Sequence, residues 1–175
     1  MSGSRSAVPE AEALLGFGGN LADPIAAIEA ALNGLQAAKV RIVARSRFYR
    51  TPPWGPVPQP PYVNLCALAH TTRGPRDLLA LTQSLEAKGG RERSVRFGPR
   101  TLDIDILTYA DLRMDAPDLT LPHPRLTERA FVLVPLAEIA PDFVVNGRAV
   151  RDWAAEADRS GIEPIESRYR PRTRT

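Results

Sequence analysis

Apolar residues recur along this chain with two periods, and the places where one gives way to the other mark its elements. Residues 13–17 form a short apolar run before the turn Gly18-Gly19-Asn20, which predicts a buried strand. Asp23 and Pro24 supply an N-cap and a proline for the first helical position. Ile25, Ile28, Leu32 and Leu35 follow at helical spacing, so a helix is expected to about Ala38. Residues 40–49 are rich in β-formers, with Val40, Ile42, Ala44 and Ser46 on one side. Residues 51–61 include six prolines, which exclude regular structure. Tyr62–Thr71 alternates again: Val63, Leu65, Ala67 and Ala69 point one way, and Tyr62, Asn64 and Cys66 the other. A second helix is predicted over Pro75–Lys88, stopped by Gly89-Gly90. A basic loop over 91–100 leads into a strand over 101–109. Residues 130–140 read as a helix interrupted at Pro135, and 150–157 as a last helix.

The order strand, helix, strand, strand, helix, strand predicts an α+β domain. Its core would be ferredoxin-like, βαββαβ, with a mainly antiparallel sheet and helices packed on the faces. That order says nothing about function, because the fold hosts many. Residues 14–160 are expected to form one domain, after a flexible leader (1–13) and before a basic, disordered tail (161–175). The chain has 175 residues, 43% hydrophobic and 25% charged, which suits a soluble globular protein. Its net charge of +3 is smaller than the charge of the tail arginines Arg168, Arg170, Arg172 and Arg174. The body is therefore not basic, and no nucleic-acid partner is expected. No apolar run approaches the ~20 residues of a membrane span. The leader has no apolar stretch of the secretory kind. A cytoplasmic monomer with no membrane partner is the expectation. Cys66 is the only cysteine, which excludes an internal disulfide.

Asp103 and Asp105, in Thr-Leu-Asp-Ile-Asp-Ile-Leu, carry the most chemical information. Residues two apart on a strand share a face, so Leu102, Ile104 and Ile106 would turn to the core and both carboxylates away from it. Carboxylates that close repel, and one holds its proton unless a cation joins them. Such hard oxygen ligands favour magnesium, which keeps water and phosphate oxygens as its remaining ligands. A bare Asp-x-Asp also fits the solvated face of an amphipathic strand. The neighbours favour the first reading: Arg91, Arg93, Arg96 and Arg100 precede the pair, and His123, Arg125 and Arg129 follow it. Guanidiniums beside a cation-binding carboxylate pair suit a polyphosphate. There is no G-x-x-x-x-G-K-[ST] loop, and Gly16-Phe17-Gly18-Gly19-Asn20-Leu21 lacks the third glycine of a dinucleotide fingerprint. Two rivals share the outline. A two-aspartate nucleotidyltransferase would release pyrophosphate. A ferredoxin-like RNA-binding module would need exposed aromatics on strands where this chain carries aspartates.

The run Phe97-Gly98-Pro99-Arg100-Thr101-Leu102-Asp103-Ile104-Asp105-Ile106-Leu107 resembles the signature of the 6-hydroxymethyl-7,8-dihydropterin pyrophosphokinase family of folate biosynthesis. Gly18-Gly19-Asn20-Leu21, Phe48-Tyr49-Arg50-Thr51-Pro52-Pro53, Tyr62-Val63-Asn64, Gly90-Arg91-Glu92-Arg93, Leu121-Pro122-His123-Pro124-Arg125-Leu126 and the run 128–141 agree in order. The resemblance implies transfer of pyrophosphate from ATP to the pterin hydroxymethyl group, with AMP released. It implies two magnesium ions on Asp103 and Asp105, and phosphate contacts from Arg91, Arg93 and Arg100. His123 and Arg129 would also meet the nucleotide. Gln83 and Glu86, three apart on one helix, would lie near it, and Ile106, Leu119 and Thr120 would line the adenine pocket. Tyr62 and Phe131 would sandwich the pterin while Asn64 reads its amide edge. Thr51, Pro52, Pro53, Trp54 and Phe97 would complete that side. Gly19 stands where many members have serine, and Thr127 where histidine is frequent.

Overall fold

A computed structural model of the chain describes residues 8–90 and 98–166. The elements run β1 (Ala11–Gly19), α1 (Pro24–Ala37), β2 (Arg41–Arg45), β3 (Tyr49–Thr51), β4 (Tyr62–Thr71), α2 (Pro75–Lys88) and β5 (Asp103–Tyr109). There follow the short pair β6 (Met114–Asp115) and β7 (Thr120–Leu121), a 3-10 turn (Leu126–Glu128) and α3 (Ala130–Ile139). The small hairpin β8 (Val144–Val145) and β9 (Arg148–Ala149), α4 (Val150–Glu156) and β10 (Glu163–Pro164) complete the described chain. The main sheet has the order β10-β3-β4-β1-β5, with β2 also on β4. Its described pairings are antiparallel. This is the ferredoxin-like arrangement expected from the element order.

The alternation along each strand sends side chains to two cores. Ala13, Leu15, Phe17, Leu65, Ala67, Ala69, Ile104 and Ile106 pack with Ile28, Leu32 and Leu35 of α1 and Leu78 and Leu85 of α2. Leu14, Cys66 and Leu107, from the opposite face, pack with Val132, Leu133 and Leu136 of α3 and Val150 and Ala154 of α4. Each fully buried leucine contributes about 1.5–3 kcal/mol of transfer free energy. The α3–α4 layer covers only part of its face. The ends of β1, β4 and β5 beyond it stay open, and they carry the polar residues of the site.

Four details depart from the sequence reading. Residues 40–49 do not form one strand. Ser46 takes over part of the ladder: Cys66 N donates to Ser46 Oγ at 3.0 Å, and that hydroxyl donates to Arg47 O at 2.8 Å. The strand breaks there into β2 and β3. Pro135 lies inside α3 without ending it. The helix gives up one main-chain bond, and buried Val132, Leu133, Val134 and Leu136 hold it on the sheet. At the N-terminus, β1 starts at Ala11, inside the expected leader, because the strand continues along β4 from Ala11↔Thr71. At the other end, Glu163 and Pro164 pair with Arg50 and Tyr49, inside the expected disordered tail, and Ile165 N donates to Phe48 O at 2.8 Å. The tail arginines lie outside the described residues, as do Arg91, Arg93, Arg96 and Phe97 of the basic loop.

Candidate active site

The open end of the sheet is built in rows set by strand register. Gly18 of β1 stands between Asn64 of β4 and Asp103 of β5. One row below, Gly16 stands between Cys66 and Asp105. The central strand thus supplies no side chain to these rows. At Gly18 the reason is steric: a Cβ would lie 2.6 Å from Asn64 Oδ1. A cavity with about 670 Å³ of empty space, open to solvent, lies over these rows. Thr51, Pro52, Trp54, Tyr62, Arg100, Arg129, Phe131 and Val132 wall it.

On the β4 side, buried Asn64 donates from Nδ2 to Thr51 Oγ1 at 2.6 Å, which fixes the amide plane and leaves Oδ1 over Gly18. The Tyr62 hydroxyl lies 2.9 Å from Gln59 Oε1 and 3.1 Å from Gly98 O. Burial raises the pKa of this phenol, so it stays protonated. Phe131 enters from the first turn of α3. Trp54, in the proline-rich loop, lies against the guanidiniums of Arg125 and Arg129, whose carbons are 5.0 and 5.2 Å from its ring centre. Arg129 also lies 5.7 Å from the Phe131 ring centre.

On the β5 side, both aspartates face the cavity, as the alternation predicts. Arg100 Nη1 meets Asp103 Oδ2 at 3.0 Å, and Arg129 Nη1 meets Asp105 Oδ2 at 3.4 Å. Asp105 has its pKa raised, by burial first and by the charge of Asp103 next, against the opposing pull of Arg129. Arg129 Nε is buried without a hydrogen-bond partner among the described residues. A buried donor without an acceptor carries a desolvation cost that a bound acceptor would relieve. No cluster of three or more His, Cys, Asp and Glu residues suited to a metal occurs among the described residues. A cation between Asp103 and Asp105 would therefore take two protein carboxylates and draw its other ligands from water or a bound anion. That donor set fits magnesium.

The remaining expected residues flank the cavity instead of lining it. His123 has its pKa lowered to about 4, by burial first and by Arg129 next. It is neutral near pH 7, and its Nδ1 accepts from Arg125 N at 3.1 Å, so the proton sits on Nε2. Ile106 and Leu119 belong to the core under α1 and α2, across β5 from the aspartates. Thr120 lies in β7, opposite Asp115. Gln83 is exposed on α2, whereas Glu86 is buried and accepts from Ile104 N at 2.8 Å. Pro53 sits beside Trp54 and is half-buried.

Sequence reasoning gave no role to Asn20, which proves to be a junction. Its Nδ2 donates to Gln59 Oε1 and Pro60 O, each at 3.0 Å, and its Oδ1 accepts from Arg100 N at 3.0 Å. Its main-chain N–H also donates to Arg100 O at 2.9 Å. This one buried amide ties the turn after β1 to the proline-rich loop and to the approach to β5. Gly19 permits that closeness, because a Cβ there would stand 2.4 Å from Thr101 O. The available signal was an asparagine after two glycines, which by itself marks only a turn.

Residues 14–141 match the family described as 7,8-dihydro-6-hydroxymethylpterin-pyrophosphokinase (HPPK). A 2-amino-4-hydroxy-6-hydroxymethyldihydropteridine pyrophosphokinase of Methylorubrum extorquens is 47% identical over 155 residues, covering 88% of this chain and 98% of that protein. The protein of the same name from Pseudomonas aeruginosa is 42% identical over 151 residues, covering 85% and 93%. Among solved structures, a Plasmodium falciparum HPPK-DHPS superimposes with a TM-score of 0.69 at 14% identity, over 86% of this chain and 44% of that one. The chain thus spans less than half the length of that structure, and the likeness speaks for the fold alone.

Proposed function

Because the chain belongs to the 7,8-dihydro-6-hydroxymethylpterin-pyrophosphokinase family, and so transfers pyrophosphate to hydroxymethyldihydropterin in folate biosynthesis, we propose that the open end of the sheet is where the transfer occurs, with ATP as donor. One observation carries this reading. Asn64, Gly18 and Asp103 form a single row across three neighbouring strands. Two interstrand steps span roughly 10 Å. A flat ring read by Asn64 and resting on the glycine would therefore direct a one-carbon substituent toward Asp103.

The residues divide the work. Asn64 offers Oδ1 and its second N–H to the ring's amide edge. Tyr62 and Phe131 cover the ring faces, with Thr51, Pro52, Pro53, Trp54 and Phe97 around it. Asp103 and Asp105 would hold magnesium, two ions being the family expectation. When bound, magnesium supplies positive charge to the phosphate oxygens and acidifies the attacking hydroxyl. Arg100 and Arg129 exchange their carboxylate partners for phosphate oxygens, and the unpartnered Nε of Arg129 gains an acceptor. Arg91, Arg93, Gln83, Ile106, Leu119 and Thr120 serve the nucleotide side, and Glu86 supports that side from behind β5. His123, neutral with its proton on Nε2, donates to a phosphate oxygen and does not take the hydroxyl proton. The hydroxymethyl oxygen attacks the β-phosphorus, the bond from that phosphorus to the oxygen of the α-phosphate breaks, AMP departs, and the hydroxyl proton is released to water. Catalysis is chiefly positioning and charge neutralisation. Among the described residues no helix is long and apolar enough to cross a membrane. The proposed setting is a cytoplasmic monomer acting on two small molecules.

The test is product identification with ATP, magnesium and the pterin. One AMP should appear for each pterin consumed. Stoichiometric ADP would mean transfer of a single phosphoryl group and would overturn the mechanism.

A further inference from the structure

Glu86 is the one charged residue among the described ones that is buried, at 5% exposure. A buried carboxylate is costly unless strong hydrogen bonds offset its lost hydration. Its Oε1 accepts from Ile104 N at 2.8 Å. Ile104 is the residue between Asp103 and Asp105, and among the described residues β5 is an edge strand paired only with β1 in the main sheet. Ile104 stands opposite Phe17 in the β1–β5 register, yet its amide gives its hydrogen bond to Glu86 of α2, on the outer side of the edge. An edge N–H of this kind has no ladder partner, and here a helix side chain takes that place. The contact is also at the tight end of α2, where a Cβ on Gly89 would lie 3.3 Å from the Leu102 side chain.

We propose that Glu86 is a positioning residue for the aspartate pair: by holding the Ile104 amide it fixes the backbone between Asp103 and Asp105 and so sets the spread of their carboxylates. This rests on the reading of the two aspartates as cation ligands. It differs from a direct contact with nucleotide, because it works through the strand and is present before nucleotide binds. A carboxylate makes a charge-assisted bond to the amide, stronger than a neutral acceptor would. An amide side chain keeps the acceptor oxygen, and alanine removes it. Glu86→Gln and Glu86→Ala therefore separate the bond from the charge.

The probe is Mn²⁺ alone, titrated into the full chain and followed by its electron paramagnetic resonance signal, with hydrogen exchange read at the Ile104 amide. In Glu86→Ala, Mn²⁺ affinity should fall by about tenfold or more, the usual effect of removing a group that orients a ligand. Ile104 exchange should quicken in step. Glu86→Gln should recover most of both, and kcat should follow Mn²⁺ affinity while KM for the pterin stays put. Unchanged Mn²⁺ affinity in Glu86→Ala would overturn the proposal. So would an equal loss in Glu86→Gln, which would assign the effect to charge. If Glu86→Ala does not fold, Glu86→Asp, too short to reach the amide, takes its place with the same expectation. Asp105→Asn serves as control: if it leaves Mn²⁺ affinity intact, the cation reading fails and this proposal with it. Loss in Asp105→Asn without loss in the Glu86 variants sinks the proposal alone.

Discussion

Two carboxylates on one face of an edge strand are the site's main chemical asset and a liability to the free fold. Asp103→Asn or Asp105→Asn should lower turnover by at least about 10²-fold, the usual cost of lost transition-state electrostatics. Neither change should unfold the protein. Asp105 has its pKa raised above the ordinary 3.8 in the folded state, by burial and by Asp103. Above pH 4 the unfolded chain has released that proton while the folded chain still holds it. Stability in EDTA must therefore fall as pH rises from about 4 through the raised pKa, and then level off. Asp105→Asn lacks this term. Its melting temperature should exceed that of the unmodified chain by about 3 °C at pH 8, with the gap closing toward pH 4. A gap that widens on acidification would mean that Asp105 is stabilised as an anion by its arginine partner. The pair was legible in the sequence because strand alternation alone puts both carboxylates on one face. The environment of Asp105 was not legible, since it comes from burial and from groups such as Arg129, at the N-cap of α3, and Glu86 of α2, both far away in the chain.

Long elements were readable because each repeats its own period for two or more turns or for most of a strand, as α1, α2, β4 and β5 do. The two-residue strands β6 to β10 were not, because a pair that short exists only through tertiary contact. The split between β2 and β3 was missed for a chemical reason: the Ser46 hydroxyl competes for ladder bonds, and periodicity is blind to that. Asn20 is the same lesson at larger separation, since its partners lie 39, 40 and 80 residues away. It links three segments that no local pattern connects. Asn20→Ala should cost about 1–3 kcal/mol through unsatisfied buried groups. It should also raise KM for the pterin, because Gln59 shares its contacts with the Tyr62 hydroxyl. Thermal unfolding and steady-state kinetics read the two effects separately. A stability loss with unchanged KM would make Asn20 a staple of the fold and no more.

Across the whole molecule, the site hangs on a short strand held from three directions. β3 carries Tyr49 and Thr51, and β4 holds it from within the sheet through Tyr49↔Asn64 and Thr51↔Tyr62. From the α3 side, Glu138 accepts from the Tyr49 hydroxyl and from Arg47 Nε at 2.7 Å and Arg47 N at 2.9 Å. Burial, with Glu138 next, pushes the pKa of Tyr49 up to about 12, so the phenol remains a donor. On the outer edge lies β10, outside the residues matched to the family. Ile165 packs on the α1–α2 core, and Gly161 lies beside Pro52, where a Cβ would make an ordinary contact with its ring at 3.5 Å. The C-terminal segment thus braces the strand whose end presents Thr51 and Pro52 to the ring. Ending the chain after Arg159 should remove that brace and lower the melting temperature by about 3–6 °C, as a loss of one to two kcal/mol does in a domain of this size. KM for the pterin should rise several-fold, while the affinity for an ATP analogue holds, because Gln83 and Glu86 on α2, Ile106 on β5 and Thr120 on β7 belong to elements that do not pair with β3. Ending the chain after Glu166 instead leaves β10 intact and should change none of these values. If the shorter truncation raises KM as much as the longer one, the effect belongs to the basic residues beyond Glu166, and β10 is not the brace.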